Sequence, residues 1–77
     1  TGLETDAILE FGNGDYAAME IKLGADQVDA AKANLVRLAN NMVKPPVFMC
    51  VVVGKMDMIA RDPETGIYIV PAMSLGV

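Results

Sequence analysis

The stretch ETDAILEFGNGDYAAMEIK, residues 4–22, contains two short apolar segments, with carboxylates and one lysine among them, joined by a glycine-rich turn. Residues 3–11 and residues 15–23 each alternate with the two-residue period of a β-strand. Gly12-Asn13-Gly14 stands between them, and this composition is typical of hairpin turns. The stretch therefore predicts a β-hairpin at the start of the chain.

The length of the hairpin loop determines which side chains of the two strands lie opposite each other. A two-residue loop, Asn13-Gly14, opposes Asp6 to Ile21 and mixes polar with apolar residues on both faces. A three-residue loop with Gly14 in the left-handed conformation separates the faces, so we favour it. The opposed pairs are then Phe11 and Asp15, Ile8 and Ala18, Asp6 and Glu20, and Glu4 and Lys22. The shared apolar face comprises Ala7, Leu9, Phe11, Ala17, Met19, Ile21 and Leu23.

The remainder of the chain predicts one helix followed by three strands. From Asp26 to Met42 the apolar residues recur at steps of three and four, which predicts an amphipathic helix with Asp26 as its N-cap. Its core-facing stripe comprises Val28, Ala31, Leu35, Leu38 and Met42. Val47–Val53 is apolar without alternation, as expected of a central strand covered on both faces. Met56–Arg61 and Gly66–Pro71 then form a second hairpin around the turn at residues 62–66.

This element order predicts a mixed α/β (α+β) fold, β-β-α-β followed by a β-hairpin, with one amphipathic helix packed on a mixed sheet. Seventy-seven residues form at most a single domain, residues 1–77, and from the start at Thr1 we expect a fragment of a larger protein or a piece that depends on a partner. Apolar residues make up 53% of the chain, which is more than a small domain can easily bury. We therefore expect a homo-oligomer.

Composition narrows the chemistry that the chain can perform. Ten acidic against six basic residues provide no diffuse basic surface for nucleic acid. Histidine is absent and Cys50 is the only cysteine, so any metal would be held by oxygen ligands, which suits Mg²⁺ or Mn²⁺. Cys50 lies within the apolar segment and is expected to be an inert core residue. The longest apolar run has seven residues, far below the ~18 of a membrane span, so we expect a cytoplasmic protein without a membrane partner.

The three-residue register brings a group of charged residues to one end of the polar face. Asp6 and Glu20 then oppose each other, which is unfavourable unless a cation or a proton intervenes. Lys22 follows Glu20 by two residues and points to the same side. One interpretation is a divalent metal held by Asp6 and Glu20, with Lys22 stabilising developing charge on a phosphate. The alternative is a solvated charge cluster in which Lys22 neutralises Glu4 or Glu20.

Asp6 followed after thirteen residues by Glu20-Ile21-Lys22 resembles the PD-(D/E)XK motif of the restriction-endonuclease-like superfamily. More closely, five ordered segments resemble the C-terminal end of bacterial and archaeal proteins in which an AAA-type ATPase domain precedes a nuclease-like domain of unknown function. These segments are GLETDAI, AAMEIKLG, the Ala-Lys-x-Asn-Leu run of the helix, KPPVFMCVVVG and GIYIVPAMSLG. The resemblance implies a partial restriction-endonuclease-like core.

The resemblance also implies residue roles and partners. Asp6 and Glu20 would be metal ligands, Lys22 the catalytic lysine, and Ile21 a source of a backbone carbonyl for the metal. ATP would bind only in an upstream ATPase domain that is absent from these residues. Two functions follow as hypotheses. The chain is a structural or self-association module that can also dock its ATPase, or it is a Mg²⁺-dependent phosphodiesterase acting on DNA or RNA. An exposed sheet edge, which pairs readily with a second copy, favours the first hypothesis.

Overall fold

The computed structural model describes residues 7–54 and 58–72. The chain forms strands β1 and β2, a helix α1 preceded by a 3-10 turn, and strands β3, β4 and β5. Their bounds are β1 Ala7–Glu10, β2 Tyr16–Lys22, the 3-10 turn Ala25–Gln27, α1 Val28–Asn41, β3 Phe48–Val53, β4 Ala60–Arg61 and β5 Tyr68–Pro71. The mixed α/β class and the predicted element order are confirmed.

The strands form one five-stranded mixed sheet in the order β1-β2-β3-β5-β4. Strands β2, β3 and β5 run parallel, whereas β1 pairs antiparallel with β2, and β4 pairs antiparallel with β5. Parallel neighbours need a crossover connection, and α1 supplies it between β2 and β3. The second hairpin is confirmed, with strands shorter than the sequence predicted. The start of its first segment, at residues 56 and 57, lies outside the described residues.

The first hairpin has the register of the three-residue loop. Ile8 lies opposite Ala18, and the Phe11 amide donates a hydrogen bond to the Asp15 carbonyl at 2.8 Å. Gly14 has φ +90°, in the left-handed region that favours glycine. The predicted pairs of Asp6 with Glu20 and of Glu4 with Lys22 lie outside the described residues on the β1 side. The register that would bring them together is the one that the described residues adopt.

Helix α1 packs its apolar stripe on β2 and β3. Ala31, Leu35 and Leu38 are buried, and Val28 packs against them at the edge of the core. Two details of the predicted helix are wrong. Met42 is exposed, because the helix ends at Asn41 and Met42 has extended backbone. Asp26 is not the cap, since Gly24 precedes the 3-10 turn and Gln27 caps α1 without a side-chain hydrogen bond.

The core lies between α1 and one face of the sheet. Besides the helical residues it contains Ala18, Val51, Val53 and Ile67. Strand β3 is central, as predicted, and its successive residues Cys50, Val51, Val52 and Val53, which alternate between the two faces, are all buried, as expected of a strand covered on both faces. Among residues 7–54 and 58–72, α1 is the only α-helix, and it packs on the face of the sheet that carries Ala18, Val51 and Val53. We call the face against α1 the covered face and the opposite one the open face. Cys50 and Val52 at the centre of the open face are buried, whereas Leu9, Ile21, Phe48 and Tyr68 on it are exposed.

Two ion pairs attach loops to the rest of the fold. Lys44 lies 2.7 Å from Asp15 and ties the segment before β3 to the first hairpin. The hydrogen bond from Lys44 holds the pKa of the Asp15 carboxyl below its ordinary value, with further help from its charge and from Asn13. At the other end, Lys32 of α1 lies 3.8 Å from Asp62 in the β4–β5 turn. Hydrogen bonds from Thr65 are the main cause that lowers the pKa of Asp62.

We expect Val51→Ala to lower the free energy of unfolding by about 1.5 to 3 kcal/mol, because it removes buried methyl groups and leaves a cavity under α1. Val43→Ala makes the same chemical change at a fully exposed position and should shift stability by less than about 0.5 kcal/mol. Urea unfolding followed by circular dichroism measures both variants. Equal losses would contradict the assignment of the core to the α1 side.

Candidate functional site

Glu20 lies on the covered face of the sheet, in the middle of an apolar neighbourhood. It belongs to β2, where Ala18 precedes it on the same face and Val51 of β3 is its parallel neighbour. Its exposed fraction is 2%, and it is the only charged residue among the described ones to be buried. The prediction of a polar face that gathers this charge at the surface is therefore wrong for Glu20, because α1 packs on that face.

Lys22 is the cation beside the buried carboxylate. Its Nζ lies 3.5 Å from Glu20 Oε1, and about a quarter of its side chain is exposed. The two side chains follow each other on one face of β2, so the spacing of two residues produces the contact. The ion pair predicted between Lys22 and Glu20 is present, although the carboxylate is not solvated.

The second oxygen of Glu20 distinguishes this carboxylate from an ordinary ion pair. Oε2 is buried and has no hydrogen-bond partner among the described residues. A buried polar atom without a partner costs about 1 to 3 kcal/mol, and more when it carries charge. The fold thus keeps the unpartnered Oε2 next to Lys22, where this oxygen can accept a hydrogen bond or bind a cation.

A divalent metal needs more than Glu20 provides. Among residues 7–54 and 58–72, no cluster of three or more His, Cys, Asp or Glu side chains is placed to hold a metal ion. Asp6, the other predicted ligand, lies outside the described residues. Ile21, whose carbonyl the resemblance would add, lies opposite Val52 within the β2–β3 pair. Glu20 offers one hard oxygen ligand, the type that Mg²⁺ and Mn²⁺ prefer.

The open face of the sheet is the second notable surface. Every described strand position on it is apolar except for Tyr68 and Arg61, and the Arg61 guanidinium lies 5.7 Å from the centroid of the Tyr68 ring. A hollow of about 570 Å³ lies in its centre. Its lining residues are Leu9, Met19, Phe48, Cys50, Tyr68 and Val70.

Cys50 forms part of the lining of this hollow rather than a reactive site. It is almost fully buried by its neighbours, and burial raises the pKa of its thiol. The thiolate is the nucleophilic form, so a raised pKa disfavours reaction at neutral pH. The prediction that Cys50 is a buried, apolar residue is confirmed.

The sequence predicts which residues of the first hairpin share the open face. It does not predict that this face lies away from α1. Ala7, Leu9, Ala17, Met19 and Ile21 share a face, as the three-residue loop requires. Alternation identifies such a group without indicating which side the helix covers. The even-numbered residues of β2 include Glu20 and Lys22. The alternation pattern therefore does not predict that their face forms the core.

A concavity of about 390 Å³ lies beside α1 and the β4–β5 turn, with Lys32 and Arg37 in its wall. Lys32 forms ion pairs with Asp29 and Asp62, and Arg37 donates a hydrogen bond to Asn34. Both cationic side chains therefore have polar partners within the fold.

Comparisons with protein-family models, with curated proteins and with solved structures find no match to this chain. Within the described ranges, no helix is long and apolar enough to cross a membrane.

We expect Glu20→Met to raise the free energy of unfolding by about 1 to 3 kcal/mol in the presence of a chelator, because it replaces a buried carboxylate that lacks one partner. Glu10→Met makes the same change on exposed β1 and should have little effect. Thermal and urea unfolding measure both variants. A loss of stability in Glu20→Met would contradict this expectation and show that the contact of the carboxylate with Lys22 outweighs the cost of its unpartnered oxygen.

Proposed function

We propose that this chain is a structural module whose function is to associate with a second copy of itself. The observation that carries the proposal is the one-sided packing of the sheet, whose single helix covers one face in the described part of the chain. Several large apolar side chains remain exposed as a result. Those in or beside the strands of the open face include Leu9, Phe11, Ile21, Phe48 and Tyr68.

A physical argument supports association over an independent monomer. A small domain buries a modest share of its apolar surface, and a second layer on the open face would increase that share. Contiguous apolar patches of this kind mark interaction surfaces in soluble proteins. The family resemblance adds that an AAA-type ATPase domain of the parent protein is a further partner. The proposal includes a cytoplasmic location, where a single thiol such as Cys50 stays reduced.

Sedimentation equilibrium over a wide concentration range tests self-association. We expect the apparent mass to rise from that of one chain to twice that value, with a midpoint on the order of micromolar. Added sodium chloride should not dissociate the species, because an apolar contact is not screened by salt. A single monomeric species up to the highest concentration would overturn the proposal.

A second candidate function is a Mg²⁺-dependent phosphodiesterase, a nuclease-like activity on DNA or RNA. The observation that favours it is the buried Glu20 Oε2, which has no partner among the described residues and lies on the same face of β2 as Lys22. Glu20 and Asp6 would hold the metal. When bound, the metal would polarise a phosphate and lower the pKa of a water.

The described residues have separate roles in this candidate. Glu20 is kept in place by β2 and α1, so it would offer its oxygen without reorganisation. Lys22 is partly exposed and can approach an anionic substrate while it neutralises the developing charge. Its contact with Glu20 holds the ammonium near that position before substrate arrives.

Paramagnetic Mn²⁺ tests the metal site independently of activity. We expect Mn²⁺ to broaden the amide NMR signals around Glu20 and Lys22, and Glu20→Gln to weaken binding by at least about tenfold. Glu10→Gln, the matched change on β1, should bind as the wild type does. Lys22→Met should retain Mn²⁺ but lose any cleavage of DNA or RNA. Equal broadening in wild type and Glu20→Gln would exclude Glu20 as a ligand.

A further inference from the structure

The sheet offers two different surfaces to a second copy, its edges and its open face. Edge strands pair with other chains through backbone hydrogen bonds, whereas faces pack through side chains. In the first hairpin the Phe11 amide bonds inward to Asp15, so the alternation of an antiparallel pair directs the amides of Ile8 and Glu10 outward, at the β1 edge. Both surfaces are therefore available for contact with a second copy. Dimers formed through one or the other respond differently to substitutions.

We infer that two copies associate face to face through the open face of the sheet, forming a two-layered β-sandwich with α1 of each copy on the outside. This inference rests on the proposed self-association and specifies its interface. Sheets that pack in this way lie about 10 Å apart, with their side chains interdigitated. Because the same face would serve both copies, the contact closes at a dimer.

The charge distribution favours a second copy as the occupant. The chain has a net charge of −4, so two copies repel each other over most of their surfaces. The strand positions of the open face carry no carboxylate, and their single charge, Arg61, lies on β4 at the edge of the sheet. Two open faces can therefore meet without bringing like charges together at the centre.

The open face has exposed side chains around a buried centre. Leu9, Phe48 and Tyr68 are exposed around the central hollow, whereas Cys50 within it is buried. A projecting Phe48 of one copy can enter the hollow of its partner, and a two-fold axis allows the reciprocal contact. Aromatic side chains seated in such hollows contribute much of the binding energy at interfaces.

The size of the face predicts how strong the dimer is. The five strands have four, seven, six, two and four residues. At about 3.3 Å per residue and about 4.8 Å between strands, one face of the sheet has an area on the order of 400 Å² per copy. Stable interfaces commonly bury about 800 Å² per partner, so this contact is small for a permanent dimer. A concentration-dependent dimer in the micromolar range is the expected result.

Adjacent residues of β1 provide a matched pair of variants. Leu9 is 48% exposed on the open face, and Ile8 is 46% exposed on the opposite face. We expect Leu9→Lys to weaken the dimer at least about 100-fold, because it buries an unpaired charge at the interface. Ile8→Lys introduces the same charge one residue away and should leave the dimer constant within about threefold. Sedimentation equilibrium gives both constants.

A third variant tests the edge. Glu10→Pro removes an outward-facing amide of β1, which the β1–β2 ladder does not use, so it blocks pairing at this edge. The dimer should persist in this variant. If Glu10→Pro dissociates the dimer and Leu9→Lys does not, the face-to-face inference fails while the proposed self-association stands. A wild-type chain that stays monomeric would overturn both.

A measurement on the wild type avoids variants that fail to fold. In a mixture of isotope-labelled and unlabelled chains, intermolecular NOEs should connect methyl groups of Leu9, Met19 and Val70 with the rings of Phe48 and Tyr68. The methyl groups of Leu35, buried under α1, should show none. Intermolecular NOEs confined to the backbone of β1 or β4 would indicate edge pairing and overturn the inference.

Discussion

The parallel pairing of β2 with β3 through α1 is the constraint on which the rest of the structure depends. Two parallel neighbours cannot be joined by a tight turn, so the chain must cross the sheet between them, and α1 does so over one face. The core forms on the face that α1 covers, where Ala18, Val51 and Val53 pack with Leu35 and Leu38. On the opposite face, no α-helix of the described residues covers the exposed side chains of Leu9 and Phe48.

The packing of α1 on this face explains why the charged residue Glu20 is buried. The carboxylate shares a strand face with Ala18, so covering that face buries it beside Val51. A fold selected only for stability would have an apolar residue there, because a buried acceptor without a partner is costly. The pair of Glu20 and Lys22 therefore lowers the stability of the fold locally, and such local costs are common at functional sites. The second candidate function rests on this cost.

The open face and the buried carboxylate lie on opposite sides of one sheet only a few ångströms thick. In the face-to-face dimer that we propose, association covers the open face and leaves α1 and the partly exposed Lys22 of each copy facing outward. The two proposals are therefore compatible, since one uses side chains such as Leu9 and Phe48 and the other uses Lys22. A module with this arrangement can assemble without obstructing its charged site.

The sequence by itself determined the elements, the three-residue turn at Gly14 and the register that aligns Ile8 with Ala18, because turn chemistry and two-residue alternation are local properties. It also identified the helical stripe at Ala31, Leu35 and Leu38. Tertiary structure alone decided which face of the sheet the helix covers, and hence that Glu20 is buried while Leu9 is exposed. Alternation separates two faces but cannot rank them, since their burial depends on how α1 packs across distant strands.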